Sequence, residues 1–218
     1  MDTGLLWQAG WALLVLGGVF GVARNGESAV VVVLAALLAV AHAAAPESAW
    51  AGRALLRGAA WGAMVLVGVA SQEGNVLPWG IVALPVAAHG VGASLLGASR
   101  TPGLPPNVGF FALLHSGSSL VLFLSLGAWQ ARQGLPFYYI TALPFLGLFF
   151  LQTLLPTIRA VAEPRRIYVR AAVLEAEVGV VLLAAALPAG LQGVVSALLV
   201  ALFYFPVRSL LRSPAPPV

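Results

Sequence analysis

The chain has 218 residues, of which 61% are hydrophobic and only 8% charged, and its mean hydropathy is +0.98. Soluble domains carry roughly 25% charged residues, so this composition cannot coat a water-facing globule, and a bilayer is the solvent that suits it. There is no cysteine, which excludes disulfides, thiolate metal sites and a cysteine nucleophile; the formal charge of +4 comes from arginines scattered over connecting segments, with no basic patch interleaved with aromatics, which excludes nucleic acid as a partner.

A helix crossing about 30 Å of hydrocarbon needs about 20 apolar residues. In chain order the runs that meet this length are Gly4–Val22, Ser28–Ala45, Arg53–Ala70, Pro78–Gly97, Val108–Gln130, Phe137–Ile158, Ile167–Leu187 and Gly190–Leu211. The first is not a signal peptide, because its short leading region carries Asp2 and its apolar run is long enough to span. Turn-forming clusters separate the runs: "ARNGES", "PESAWAG", "SQEGNVLP", "ASRTPGLPPN", "ARQGLPF", "RAVAEPRR" and "PAG". The last is short enough to make the final two segments an antiparallel hairpin. Pro85, Pro144 and Pro156 fall inside or near the end of segments, where membrane helices tolerate them. The expected fold class is therefore all-α, a polytopic transmembrane bundle of about eight helices. It forms one domain over residues 1–212, with a Pro-rich tail at 213–218.

Arginine distribution orients the bundle. Arg53, Arg57, Arg100, Arg159, Arg165, Arg166, Arg170, Arg208 and Arg212 fall on one side, against Arg24 and Arg132 on the other. The positive-inside rule puts the richer side, both termini and the loop Ala98–Asn107 in the cytoplasm of what reads as a bacterial inner-membrane protein. Trp79, Trp129, Tyr138 and Tyr139 then form an aromatic belt at the outer interface. Gly17 with Gly21, and Gly58 with Gly62, lie four apart and share a helix face, the spacing that lets membrane helices approach closely.

Chemistry-bearing residues are few. Glu177 lies roughly 15 Å into the seventh segment at 1.5 Å per residue, near the midplane, where a charge costs about 2.5–3.5 kcal/mol even on the lenient insertion scale. Glu175 lies two residues earlier and points to nearly the opposite side, so the two are not a paired-carboxylate site. Arg170 shares a stripe with Glu177, and Tyr168 with Glu175. Two readings stay open: a polar cavity or proton or cation path, and a protonated Glu hydrogen-bonded to a neighbouring helix. His89 and His115 lie on consecutive segments and could face one cytoplasm-opening cavity, with Ser94, Ser99, Ser116 and Ser118 adding hydroxyls. No third ligand at metal spacing accompanies them, so no metal site is expected. His42 carries no functional expectation.

The run "RALLRGAAWGAMVLVG" at Arg53–Gly68, followed by "LPWGIVALPVAAHGVGASLLGASRTPG" and "YVRAAVLEAEVGVVLLAAALPAGLQGVVSALLVALFYFP", resembles the UbiA-type membrane prenyltransferase superfamily, including its small EboC-like branch. In that family a helix of R-x-L-N-x-L-L-G character leads through another helix into a cytoplasmic loop. Arg57 matches the motif's Arg, while its Asn position is Ala60. The resemblance implies Mg²⁺ held by two Asp-rich motifs and a prenyl diphosphate held by Mg²⁺. The match starts at the family's third helix, so the first motif has no counterpart. The second falls on Ala98–Asn107, which contains no acid but offers Arg100 and Asn107 to a diphosphate.

Three functions follow as expectations. The first is a catalytically degenerate UbiA-like protein that binds or helps handle an isoprenoid or similar lipid-like metabolite, beside an active membrane-protein partner and without a cofactor. The second is a prenyltransferase represented by a truncated or split chain, with Mg²⁺ as cofactor. The third is a small transporter using intramembrane Glu and His. The ligand-binding candidates are Arg57, His89, Arg100, Asn107 and His115, together with Arg170, Glu175 and Glu177.

Overall fold

The computed structural model describes residues 26–73, 80–98, 108–132, 139–163, 165–191, 193–202 and 204–212. These are all-helical, with no strand among the described residues: α1 (Gly26–Ala44), a 3-10 turn (Glu47–Ala49), α2 (Trp50–Glu73), α3 (Gly80–Ala98), α4 (Val108–Arg132), α5 (Tyr139–Ala162), α6 (Arg166–Leu191), α7 (Val194–Ala201) and α8 (Tyr204–Arg212). Five predicted segments, Ser28–Ala45 through Phe137–Ile158, correspond to α1–α5, and Ile167–Leu187 to α6. The segment Gly4–Val22, the loop "ASRTPGLPPN" beyond Ala98 and the tail lie outside the described residues.

The final segment departs from expectation. Pro188 and Gly190 continue α6, and the chain reverses at Gly193 instead of at "PAG". Gly193 has φ 99° and ψ 175°, a region essentially restricted to glycine. Within the expected single span Gly190–Leu211 the described residues form two short helices, α7 and α8, with a turn at Leu202.

Sequential neighbours pack together, from α1 on α2 through α5 on α6, and α6 also meets α3, α7 and α8. This makes α6 the centre of the described bundle. Its inner face is largely alanine: Ala172, Ala176, Ala185, Ala186 and Ala189 are fully buried, and a methyl side chain lets four neighbours reach its backbone. Phe145, Leu146 and Phe149 of α5 fill the space against Val178, Leu182 and Leu183. A smaller cluster of Leu96, Ala112, Ala160, Val169 and Ala172 joins α3, α4, α5 and α6 near the start of α6.

Glycines set the closest approaches. A Cβ on Gly58 would collide with Val91 and the Ala87 carbonyl of α3, and one on Gly62 would press on Ala87 and Ala83. Gly90 on α3 faces Gly58 and Trp61 in return. The Gly58/Gly62 face is thus the α2–α3 seam; Gly17 and Gly21 lie outside the described residues. A Cβ on Gly92 would fall on that of His115, so α3 and α4 approach most closely there. Polar ties add to the packing: His42 donates from Nδ1 to the Arg53 carbonyl at 2.9 Å, and Thr141 donates to the Ala189 carbonyl at 2.6 Å.

The outer faces are apolar. Val30, Val33 and Leu37 on α1, Ile140, Leu148, Leu151 and Leu155 on α5, and Val195 and Leu199 on α7 are each more than half exposed. By length and composition, Ile140–Ala162 is the one described helix long and apolar enough to cross a membrane, and Ala29–Ala44 and Ala83–Gly97 are shorter apolar helices.

Candidate functional site

Three consecutive residues of α6 organise the polar interior. Glu177 faces α2, where its Oε1 accepts from Arg57 Nη2 at 2.7 Å. The Arg57 guanidinium lies 4.9 Å from the ring centre of Trp61, one turn further along α2, a cation–π contact that holds its plane. Glu175 faces the other way. Its Oε1 accepts from Arg208 Nη2 of α8 at 3.0 Å, and its Oε2 accepts from Gln152 Nε2 of α5 at 2.5 Å. Arg208 is positioned in turn by Tyr204, whose hydroxyl accepts from Nη1 at 2.9 Å and whose ring centre lies 5.5 Å away. Between the two carboxylates, the Ala176 carbonyl accepts from His89 Nε2 of α3 at 2.6 Å.

That last bond fixes the tautomers of a histidine pair. A carbonyl only accepts, so His89 carries its ring proton on Nε2, and in the neutral ring Nδ1 is then an acceptor. His115 Nδ1 lies 3.0 Å from His89 Nδ1 and donates to it. This leaves the Nε2 of neutral His115 unprotonated, an acceptor. Both histidines are fully buried, with ring centres 4.7 Å apart, and His89 also meets Phe149 edge-on at 5.0 Å and Trp61 at 6.0 Å. His115 Nε2 and Ser116 Oγ are buried and have no hydrogen-bond partner among the described residues; the same holds for Arg208 Nε.

The electrostatics are compensated. Two guanidiniums face two carboxylates, so this interior carries no net charge when all four are ionised. As a proton path the histidine pair stops short, because His89 delivers its hydrogen to a backbone carbonyl that cannot pass a proton on. As a Mg²⁺ site the donor set does not fit: hard cations take several converging oxygens, whereas Glu175 and Glu177 diverge around α6 and each is already held by an arginine. Among the described residues no three of His, Asp or Glu gather as metal ligands would.

Of the sequence candidates, Arg57, His89, His115, Glu175 and Glu177 come together around one level of α6. Arg170 does not join them: it is exposed, and Glu177 takes its cation from α2 instead of from its own helical stripe. Tyr168 likewise meets Arg159, at 5.9 Å, while Glu175 is held by α5 and α8. Both histidine side chains are fully buried. Arg100 and Asn107 lie outside the described residues, as do the aromatic-belt residues Trp79 and Tyr138. Sequence reasoning passed over Gln152, Tyr204 and Arg208. An amide inside the apolar run "LFFLQTLL" was the available signal for Gln152, and the Tyr204–Arg208 spacing of one helical turn was the signal for the other two. Compared with protein-family models, curated proteins and solved structures, the chain finds no match in any of the three.

Proposed function

We propose that this chain is a multi-pass membrane bundle of UbiA-like type, oriented with its arginine-rich side in the cytoplasm, that binds an uncharged isoprenoid or similar lipid-like metabolite without transferring it. The observation that carries the reading is an inverted distribution of polarity: apolar side chains on the outer faces, and Arg57, Glu177, Arg208, Glu175 and two histidines inside. A bilayer supplies the solvent for such an exterior. Arg57, which corresponds to the arginine of the family motif, is engaged by Glu177 and is not available as a free cation for a diphosphate. A neutral head group suits a neutral interior, and a flexible apolar tail suits helices lined with alanine and glycine. Transfer, on this reading, belongs to a partner membrane protein that carries the carboxylate-held metal.

The test is equilibrium binding to the purified protein in detergent. Geranylgeraniol is expected to bind with or without Mg²⁺, and geranylgeranyl diphosphate to gain nothing from the metal. Mg²⁺-dependent binding of the diphosphate would favour a prenyltransferase, and no binding of either molecule would end the proposal.

A further inference from the structure

Among the described residues, the buried serine and threonine hydroxyls follow a rule with one exception. Ser119 donates to the His115 carbonyl, Thr153 to that of Phe149 and Thr157 to that of Thr153, each one helical turn back. Ser116, equally buried, makes no such bond. Its neighbour His115 is the other anomaly. The chain of donors that begins at the Ala176 carbonyl gives His89 its acceptor role at Nδ1 and obliges His115 to spend its only ring proton there. What remains at His115 Nε2 is an in-plane lone pair with no donor, in a fully buried side chain. A buried acceptor left without a donor is costly, so the His115 nitrogen is suited to a donor brought by a ligand.

We infer that His115 Nε2 is the hydrogen-bond acceptor for a hydroxyl borne on an otherwise apolar ligand. The inference rests on the lipid-binding reading above and narrows its ligand to one that donates a hydrogen bond. The preset tautomer is the selecting element: an unprotonated nitrogen rewards an O–H and gives nothing to an ether, ester or carbonyl oxygen. Gly92 positions this acceptor, because the absent Cβ lets His115 pack against α3 closely enough to reach His89, one turn earlier on that helix. The nitrogen is buried, which strengthens a hydrogen bond made to it.

The test uses the whole chain in detergent with two probes, geranylgeraniol and its methyl ether, which differ in one donor. The alcohol is expected to bind about tenfold more tightly, the difference one hydrogen bond to a buried acceptor makes. His115→Phe is expected to erase that preference while retaining binding of the ether. Nitrogen NMR of the ¹⁵N-histidine-labelled wild type supplies a readout that needs no variant: His115 Nε2 should resonate as an unprotonated nitrogen and shift with the alcohol only. Equal affinity for both probes, an unmoved Nε2 signal, or a protonated Nε2 in the free protein would each overturn this inference and leave the lipid-binding reading standing. Failure of both probes to bind would overturn the two together.

Discussion

Glu175 and Glu177 differ in how far their carboxylates are enclosed, with side chains 9% and 24% exposed, and the difference predicts unequal consequences of mutation. Breaking a buried ion pair costs about 3–5 kcal/mol, because a charge is left unmatched, whereas an exposed pair contributes about 0–1 kcal/mol. Glu175→Gln should fall toward the first limit and Glu177→Gln toward the second, a gap of about 2 kcal/mol in unfolding free energy measured in detergent. Glu175 also accepts from both Gln152 and Arg208, so neutralising it disturbs contacts to α5 and α8 together, whereas Glu177 pairs with Arg57 of α2. Equal loss in the two variants would mean that both carboxylates are shielded alike. The acids themselves were legible in the sequence, since a carboxylate inside an apolar run is expensive enough to stand out. Their partners were not: Arg57 lies 120 residues from Glu177, and helical periodicity offers only the near neighbour, Arg170.

Helices are legible where length and apolar content dictate them, and α1–α6 match the predicted runs within a few residues. Chain reversals are harder, because proline and glycine each have two uses. Pro188 and Gly190 read as a turn but lie within α6, while the positive φ falls on Gly193, three residues further on. Seams between helices show the same ambiguity. Glycine spacing picked out Gly58 and Gly62 but gave no reason to prefer Gly92, whose partner is 23 residues on and on another helix. Its packing predicts the sharpest contrast among the described glycines. Gly92→Ala would place a methyl group on His115 Cβ and force α3 and α4 apart, so the variant should fail to accumulate or unfold well below the wild type. Gly117→Ala, one helix over, meets nothing within 4 Å and should be neutral or gain about 0.5–1 kcal/mol from helix propensity. Thermal unfolding of both variants in one detergent decides it, and a stable Gly92→Ala protein would show that the two helices do not approach there.

The arrangement of the whole molecule follows from one physical asymmetry, apolar outside and paired charges within, and it makes a claim about sides that can be tested directly. If the arginine-rich ends face the cytoplasm, the connection between α5 and α6 at Glu163 and Arg165 and the connection between α1 and α2 at Ser48 share that side. The end of α4 at Arg132, next to Gln133 in the chain, and the start of α5 at Tyr139 lie opposite. The chain has no native cysteine, so single variants Ser48→Cys, Glu163→Cys and Gln133→Cys each report one position without background. Ser48 and Glu163 are exposed, so a thiol at either is open to reagent. In intact cells a membrane-impermeant maleimide should label Gln133→Cys alone; after permeabilisation it should label all three. The reverse pattern would invert the orientation, since the nine-to-two arginine bias would then point outward. Labelling of Ser48→Cys and Glu163→Cys from opposite sides would be more damaging. It would break the up-and-down order of α2–α5 that brings Arg57 to the level of Glu177, because both residues enter the bundle from those two connections. The interior ion pair and the sidedness of the loops are therefore one prediction, read once from inside the protein and once from outside.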